Sequence, residues 1–250
     1  MLKVEAPLGA KEILLHACCA PCSGAVLECL RDNGIRPVVF FSNSNIFPKE
    51  EYDHRLAELR RYGDVMGVEV VEDAYDHEAW LEAVRGLERE PERGRRCEAC
   101  FRFRLARAAR FAESRDLPVL ATTLASSRWK DLDQVNAAGL AVTSLRDSQL
   151  GQISGFALPV DAAPGQVECS DVRISGPAGP GTLAETKSEW ALRPQGVAGG
   201  GAPFNASSVT FWSQNWRKGG LQPRRNEIIR EQCFYNQTWC GCEFSRNQNL

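Results

Sequence analysis

Ten cysteines occur in a chain of 250 residues, and seven of them fall into three tight groups. Cys18, Cys19 and Cys22 stand in "LLHACCAPC", Cys97 and Cys100 in "CEAC", and Cys240 and Cys242 in "WCGCEF". Clustered thiols in a cytosolic chain of this size read as metal ligands or redox groups rather than structural disulfides. A C-x-x-C pair suits zinc, an iron–sulfur cluster or a thioredoxin-type dithiol. Its expected place at a helix start helps all three, because the positive end of the helix dipole favours thiolates. Cys18 and Cys19 are adjacent, and neighbours on a strand point to opposite sides, so they can serve one site only where the chain turns out of the strand. Together with Cys97 and Cys100 they offer four sulfur ligands, a set for zinc or for [4Fe–4S]. A structural zinc usually draws on two knuckle-like pairs, so the iron–sulfur reading is favoured. The C-x-C pair can close only as a small, strained, easily reduced disulfide, which is the character of a redox dithiol. Two further metal ligands are the competing reading. Cys22 fits a fifth ligand, a ligand of a second metal or a helix-start thiol of lowered pKa. Cys29, Cys169 and Cys233 are isolated, and Cys29 reads as a small core residue.

Arginines crowd around the C-x-x-C: Arg93, Arg95, Arg96, Arg102, Arg104, Arg107 and Arg110. "SRWK" adds Arg128, Trp129 and Lys130, and "NWRKGGLQPRR" adds Trp216, Arg217, Lys218, Arg224 and Arg225. Arginine interleaved with aromatics binds phosphates and stacks on unpaired bases, so an anionic, RNA-like substrate is expected. Any single arginine reads better as part of a solvated helical face. Of the three histidines, His54 and His77 read as surface or core residues, and His16 as structural.

These groups need elements to position them. "EILLHA", "RPVVFFSN", "VEVVEDA" and "LPVLATTL" are apolar runs of strand length. Between them lie helical patterns, beginning at "SGAVLECLRDNGI", where Ser23 is expected to cap the start and Gly34 to end the helix, and at "PKEEYDHRLAELRRYGDVMG", "DHEAWLEAVRGL" and "CEACFRFRLARAARFAESRD". Alternation of this kind predicts an α/β fold, a parallel sheet with helices on both faces. Ligands of such sheets sit at the carboxyl ends of the strands, where "CCAPC" and "ASSRWKDLDQ" would lie. No phosphate-loop glycine pattern follows the first strand. From Thr143 to Ser208 glycine and proline are dense and periodicity is weak, so residues 1–142 read as an α/β metal-binding core, 143–208 as an atypical insertion and 209–250 as a C-terminal segment bearing the C-x-C.

The composition, 43% hydrophobic and 25% charged, is that of a globular chain, and a formal net charge of −2 means that any nucleic acid must be met by a local patch. No run reaches the roughly 18 apolar residues of a membrane span, and the first residues lack the pattern of a secretory signal, so a cytoplasmic location without membrane contact is expected.

"LLHACCAPCSG", "CEACFRFRL", "TTLASSRWKDLDQVNAAG", "WRKGGL" and "FYNQTWCGCEFS", in this order, resemble the QueH family of epoxyqueuosine reductases, the non-cobalamin type. The resemblance covers about Lys11–Val142 and Val209–Ser245. It implies an adenine-nucleotide hydrolase-like (HUP-type) α/β fold whose C-terminal segment completes the active site. It also implies two-electron reduction of epoxyqueuosine to queuosine at the wobble position of tRNA. By this resemblance Cys18, Cys19, Cys97 and Cys100 hold a [4Fe–4S] cluster, Cys240 and Cys242 form a redox-active disulfide, and an additional mononuclear iron lies beside the cluster, with Cys22 the candidate to face it. Arg128, Trp129, Lys130, Arg217 and Lys218 are the expected substrate contacts. The partners are tRNA carrying epoxyqueuosine and an external electron donor. Two other readings of the same residues are a zinc-stabilised RNA-binding module without redox activity and a thiol oxidoreductase acting on proteins.

Overall fold

The computed structural model describes residues 2–144 and 209–246. Cys169 and nearly all of the expected insertion lie outside the described residues. Five strands form one parallel sheet: β1 (Glu12–His16), β2 (Arg36–Phe41), β3 (Val70–Glu72), β4 (Val119–Thr122) and β5 (Thr210–Phe211), in the order β3-β2-β1-β4-β5. The sequence predicts the first four. The fifth is two residues long, too short for an apolar pattern to mark it. The α/β architecture is as expected, and β1 is central because Ile13, Leu14 and Leu15 are apolar on both faces and fully buried.

Strand order reverses beside β1, which pairs with β2 on one side and with β4 on the other. His16 ends β1 opposite both Phe40 and Thr122, so the chain leaves the sheet there at the switch point. The helices are α1 (Ala20–Asp32), α2 (Lys49–Met66), α3 (His77–Ala83), α4 (Arg95–Ser114), α5 (Leu132–Ser144), α6 (Leu221–Glu231) and the single turn α7 (Glu243–Arg246). Helix α1 begins three residues before the expected Ser23 cap. Pro21 fits its first turn, Cys19 takes the cap position in extended backbone, and the buried Ser23 hydroxyl donates to Cys19 O at 2.8 Å. Helix α5 runs to Ser144, two residues past the expected edge of the core, and Asp131 caps it by accepting from the backbone N–H groups of Asp133 and Gln134.

Residues after 209 are joined to this sheet. Thr210 pairs with Val119 and Phe211 with Leu120. The Phe211 ring lies against α5 at Gly139, where an added Cβ would stand 2.2 Å from the ring. No helix of the described residues is long and apolar enough to cross a membrane.

Candidate active site

The first wall of the site is the exit of β1. His16 is fully buried, and burial, followed by the charge of Arg104, pushes its pKa down to about 3. The ring is therefore neutral. Its Nε2–H donates to Ser42 O at 3.1 Å, which leaves Nδ1 to accept from Thr122 Oγ1 at 2.8 Å. The structural reading of His16 holds: it ties the ends of β1, β2 and β4 together. Asn43 Nδ2 donates to Ala17 O at 2.9 Å, and the Cys18 N–H donates to Thr123 Oγ1 at 3.2 Å. The chain turn between β1 and α1 then brings the Sγ atoms of Cys18, Cys19 and Cys22 within 4.8 Å of one another. Cys22, unassigned by spacing alone, stands in the tightest thiol group of the described residues. Hydrogen bonds from Cys19 and Cys22, with Arg104 and Lys130 nearby, hold the Cys18 thiol well below its usual pKa, while the Cys22 thiol is pushed up to about 11 by its contact with Cys18.

The second wall is α4. Cys97 and Cys100 lie in its first two turns, and the N–H of Arg93 donates to Cys97 Sγ at 3.3 Å. The third wall is the C-x-C loop. Gly241 adopts φ +98°, and a Cβ there would stand 2.9 Å from Ile46 and 3.1 Å from Arg55, so the loop needs glycine on both counts. Arg55 Nη1 donates to Cys240 O at 3.2 Å, and the N–H of Phe47 donates to Gly241 O at 2.9 Å. Cys240 and Cys242 are free thiols here. Cys242, together with Lys130 and a Ser245 hydroxyl 2.9 Å from the sulfur, pulls the Cys240 thiol below its usual pKa against burial, whereas the Cys242 thiol is raised by its bond to Cys240 and by burial.

These walls enclose a cavity of about 260 Å³ lined by Cys18, Cys19, Cys22, Cys97, Cys240, Trp129 and Lys130 among others. A smaller space of about 20 Å³ continues it and is bordered by Cys97, Cys100, Cys240 and Cys242. Seven clustered cysteines from three distant stretches therefore meet at one place. Arg128 and Lys218 are exposed and stand outside the lining. Arg217 is engaged inward: its Nη2 donates to Ser127 O at 2.6 Å and to Lys130 O at 2.7 Å, so it braces the "SRWK" loop.

The arginine ensemble of α4 divides. Arg102 pairs with Glu98 on the solvated face, as expected of single arginines. Arg96, Arg104 and Arg107 are instead buried, against that expectation. Arg107 meets the Asp73 carboxylate at 2.8 Å, and Arg96 Nη1 donates to Glu88 O at 2.8 Å. Arg104 lines the thiol cavity and donates to Ser42 O and to Asn43 Oδ1. Among the described residues neither Arg104 nor Lys130 has a carboxylate partner. Burial opposes the charge of Lys130, yet the neighbouring sulfurs, that of Cys240 foremost, hold its pKa above the usual value. Cations withdrawn from water require counter-charge, and neither Arg104 nor Lys130 is given it by a carboxylate contact among the described residues, which leaves the neighbouring sulfurs to supply it. A thiolate-ligated iron–sulfur group, rich in sulfur donors and net negative, fits this setting. Only the register of Arg104 is legible in sequence: Cys97, Cys100 and Arg104 follow i, i+3, i+7 spacing, one face of a helix, but the spacing does not say that this face is buried. Arg55, Glu92 and Trp239, also in the lining, carry no such signal.

Comparison with known proteins gives a family model described as epoxyqueuosine reductase QueH that matches residues 13–150 and 194–248. A protein called epoxyqueuosine reductase QueH from Histophilus somni is 32% identical over 243 residues, covering 97% of this chain and 75% of its own. Its namesake from Haemophilus influenzae is 31% identical with the same coverage. One from Thermotoga maritima is 24% identical over 93% of this chain and 89% of its own.

Proposed function

The chain belongs to the epoxyqueuosine reductase QueH family, and from that premise we propose that it is an oxidoreductase that reduces epoxyqueuosine to queuosine at the wobble position of tRNA. One observation carries the reading: Cys18, Cys19, Cys22, Cys97 and Cys240 face one cavity beside two cations, Arg104 and Lys130, that lack carboxylate partners among the described residues. In this reading Cys18, Cys19, Cys97 and Cys100 would hold a [4Fe–4S] cluster and Cys22 would face an adjacent iron; when bound, these supply electrons and a Lewis acid for the departing oxygen.

The protein's own groups do the rest. Removing the epoxide oxygen breaks two C–O bonds and forms a C=C bond, and it consumes two electrons and two protons, releasing water. Cys240 and Cys242 carry the matching pair: forming their S–S bond releases two electrons and two protons, and an external donor reduces it again. The strained C-x-C geometry makes that disulfide easy to reopen. Trp129, exposed beside the cavity, stacks on an unpaired base, while Arg128 and Lys218 meet phosphates. Arg217 acts through the loop that it braces, and Lys130 projects into the cavity. An anticodon-loop base is already unpaired, so it enters without opening a duplex.

The test is anaerobic purification, iron and sulfide analysis, then turnover of epoxyqueuosine-containing tRNA with a chemical reductant. The expected result is iron with acid-labile sulfide, and queuosine in the product. One zinc, no sulfide and no turnover would instead make the chain a zinc-stabilised RNA-binding module.

A further inference from the structure

The cavity is strongly cationic. Arg55, Arg93, Arg104, Lys130 and Arg225 line it, Arg55 being paired at 2.6 Å with Glu51 outside the lining, and Glu92 is the single carboxylate among its lining residues. A lone carboxylate among five cations would ordinarily pair with one of them. Glu92 does not: among the described residues its side chain makes no ion pair and no hydrogen bond. The neighbouring cation is turned elsewhere. Arg93 Nε donates to Trp129 O at 3.0 Å and its Nη2 to Arg128 O at 3.3 Å. The backbone is fixed as well, since Arg93 sits at φ +65°, its N–H donates to Cys97 Sγ, and its carbonyl accepts from Gln134 Nε2 at 2.6 Å. Glu92 is therefore held at the cavity wall by anchors on the next residue, with its carboxylate uncommitted.

The substrate of the reductase reading has a matching need. Epoxyqueuosine joins its deazaguanine base to the epoxide-bearing ring through an aminomethyl bridge, a secondary amine that is cationic near neutral pH. Arg93, Arg104, Lys130 and Arg225, which have no carboxylate partner among the described residues, repel that group, and Glu92 is the one carboxylate of the lining that can receive it. We infer that Glu92 is the specificity-determining counter-charge for the substrate's secondary ammonium. This inference rests on the reductase reading, and its test separates the two.

Binding is measured between the full-length protein and two anticodon stem-loops that differ only at the wobble base. One carries 7-aminomethyl-7-deazaguanosine and the other its neutral 7-hydroxymethyl counterpart. Wild type is expected to prefer the amine. Glu92→Gln is expected to weaken the amine loop about tenfold, the size of one charged hydrogen bond, and the hydroxymethyl loop by less than about twofold. The hydroxymethyl arm also reports whether the variant is folded. Equal weakening of both loops, or of neither, overturns the inference and leaves the reductase reading standing. Failure of the wild type to bind either loop overturns the tRNA reading itself.

Discussion

At the scale of single residues, the site depends on side chains whose chemistry is plain and whose company is not. The cysteine groups and the glycine between the last two are legible in sequence. Arg104 as the buried cation beside the thiols is not, because an arginine on an amphipathic helix looks like every other arginine until the helix is seen to face a sheet. Arg104→Met keeps the volume and removes the charge. It is expected to lower iron content after reconstitution, since the thiolate group loses a counter-charge, while the far-ultraviolet spectrum stays unchanged. Cys240→Ser or Cys242→Ser is expected to abolish turnover and leave iron and sulfide content intact, because neither is among the four thiols assigned to the cluster. Loss of iron in those variants would make the pair ligands instead. Gly241→Ala places a Cβ at φ +98° and 2.9 Å from Ile46. The backbone cost alone is about 1–2 kcal/mol, and the visible outcome is slowed reoxidation of the C-x-C pair in a thiol-titration assay.

Between elements, the decisive contacts join stretches far apart in sequence. Strand β5 is held by its pairing with β4 and by the fit of Phe211 over Gly139. Gly139→Ala forces a methyl into the ring and is expected to destabilise the protein by about 1–3 kcal/mol in chemical denaturation. Arg217→Ala frees the Ser127–Lys130 loop, which Arg217 ties through two carbonyls. The expected signature is a rise in KM for tRNA with kcat less affected, because the lost contact positions a binding surface. Sequence periodicity finds β1, β2 and β4 because they bury runs of apolar residues, and β3 because its valines, though only partly buried, still form an apolar run. It cannot find a two-residue strand, nor the start of α1 at Ala20, where the first turn holds the cysteine motif itself and a proline. Nor can it say that α4 turns Arg96, Arg104 and Arg107 inward, since that follows from partners on other elements: carbonyls at 42, 88 and 90 and the Asp73 carboxylate.

For the molecule as a whole, stability should fall in strong alkali before it falls in weak acid for these groups. Burial pushes the Tyr62 phenol up to about 12 and raises those of Tyr52 and Tyr75. A phenol whose folded pKa lies above its unfolded value of about 10 contributes fully below that value. Its contribution is lost as pH climbs from 10 through the folded pKa, because the unfolded chain ionises first. Thermal unfolding is expected to be flat in this respect up to pH about 10 and to drop steeply above it, with tyrosinate absorbance rising in the same step. Ionisation of Tyr52, Tyr62 or Tyr75 near pH 10 in the still-folded protein, read against a Tyr235→Phe background, would contradict it. The fold class and the meeting of the thiols at a sheet edge could be argued from the order of strands and motifs. The cavity's charge could not, because the formal net charge of −2 averages away a local excess of cations.

The pairing of Val119 with Thr210 has a consequence in time. A chain made from its N-terminus can assemble the walls bearing Cys18, Cys19, Cys22, Cys97 and Cys100 once β4 has emerged, while β5 follows ninety-one positions after its partner in β4 and the wall bearing Cys240 thirty positions after that. Until then the nest of sulfurs lies open on one side, and the stretch bearing Cys240 is the door that shuts it.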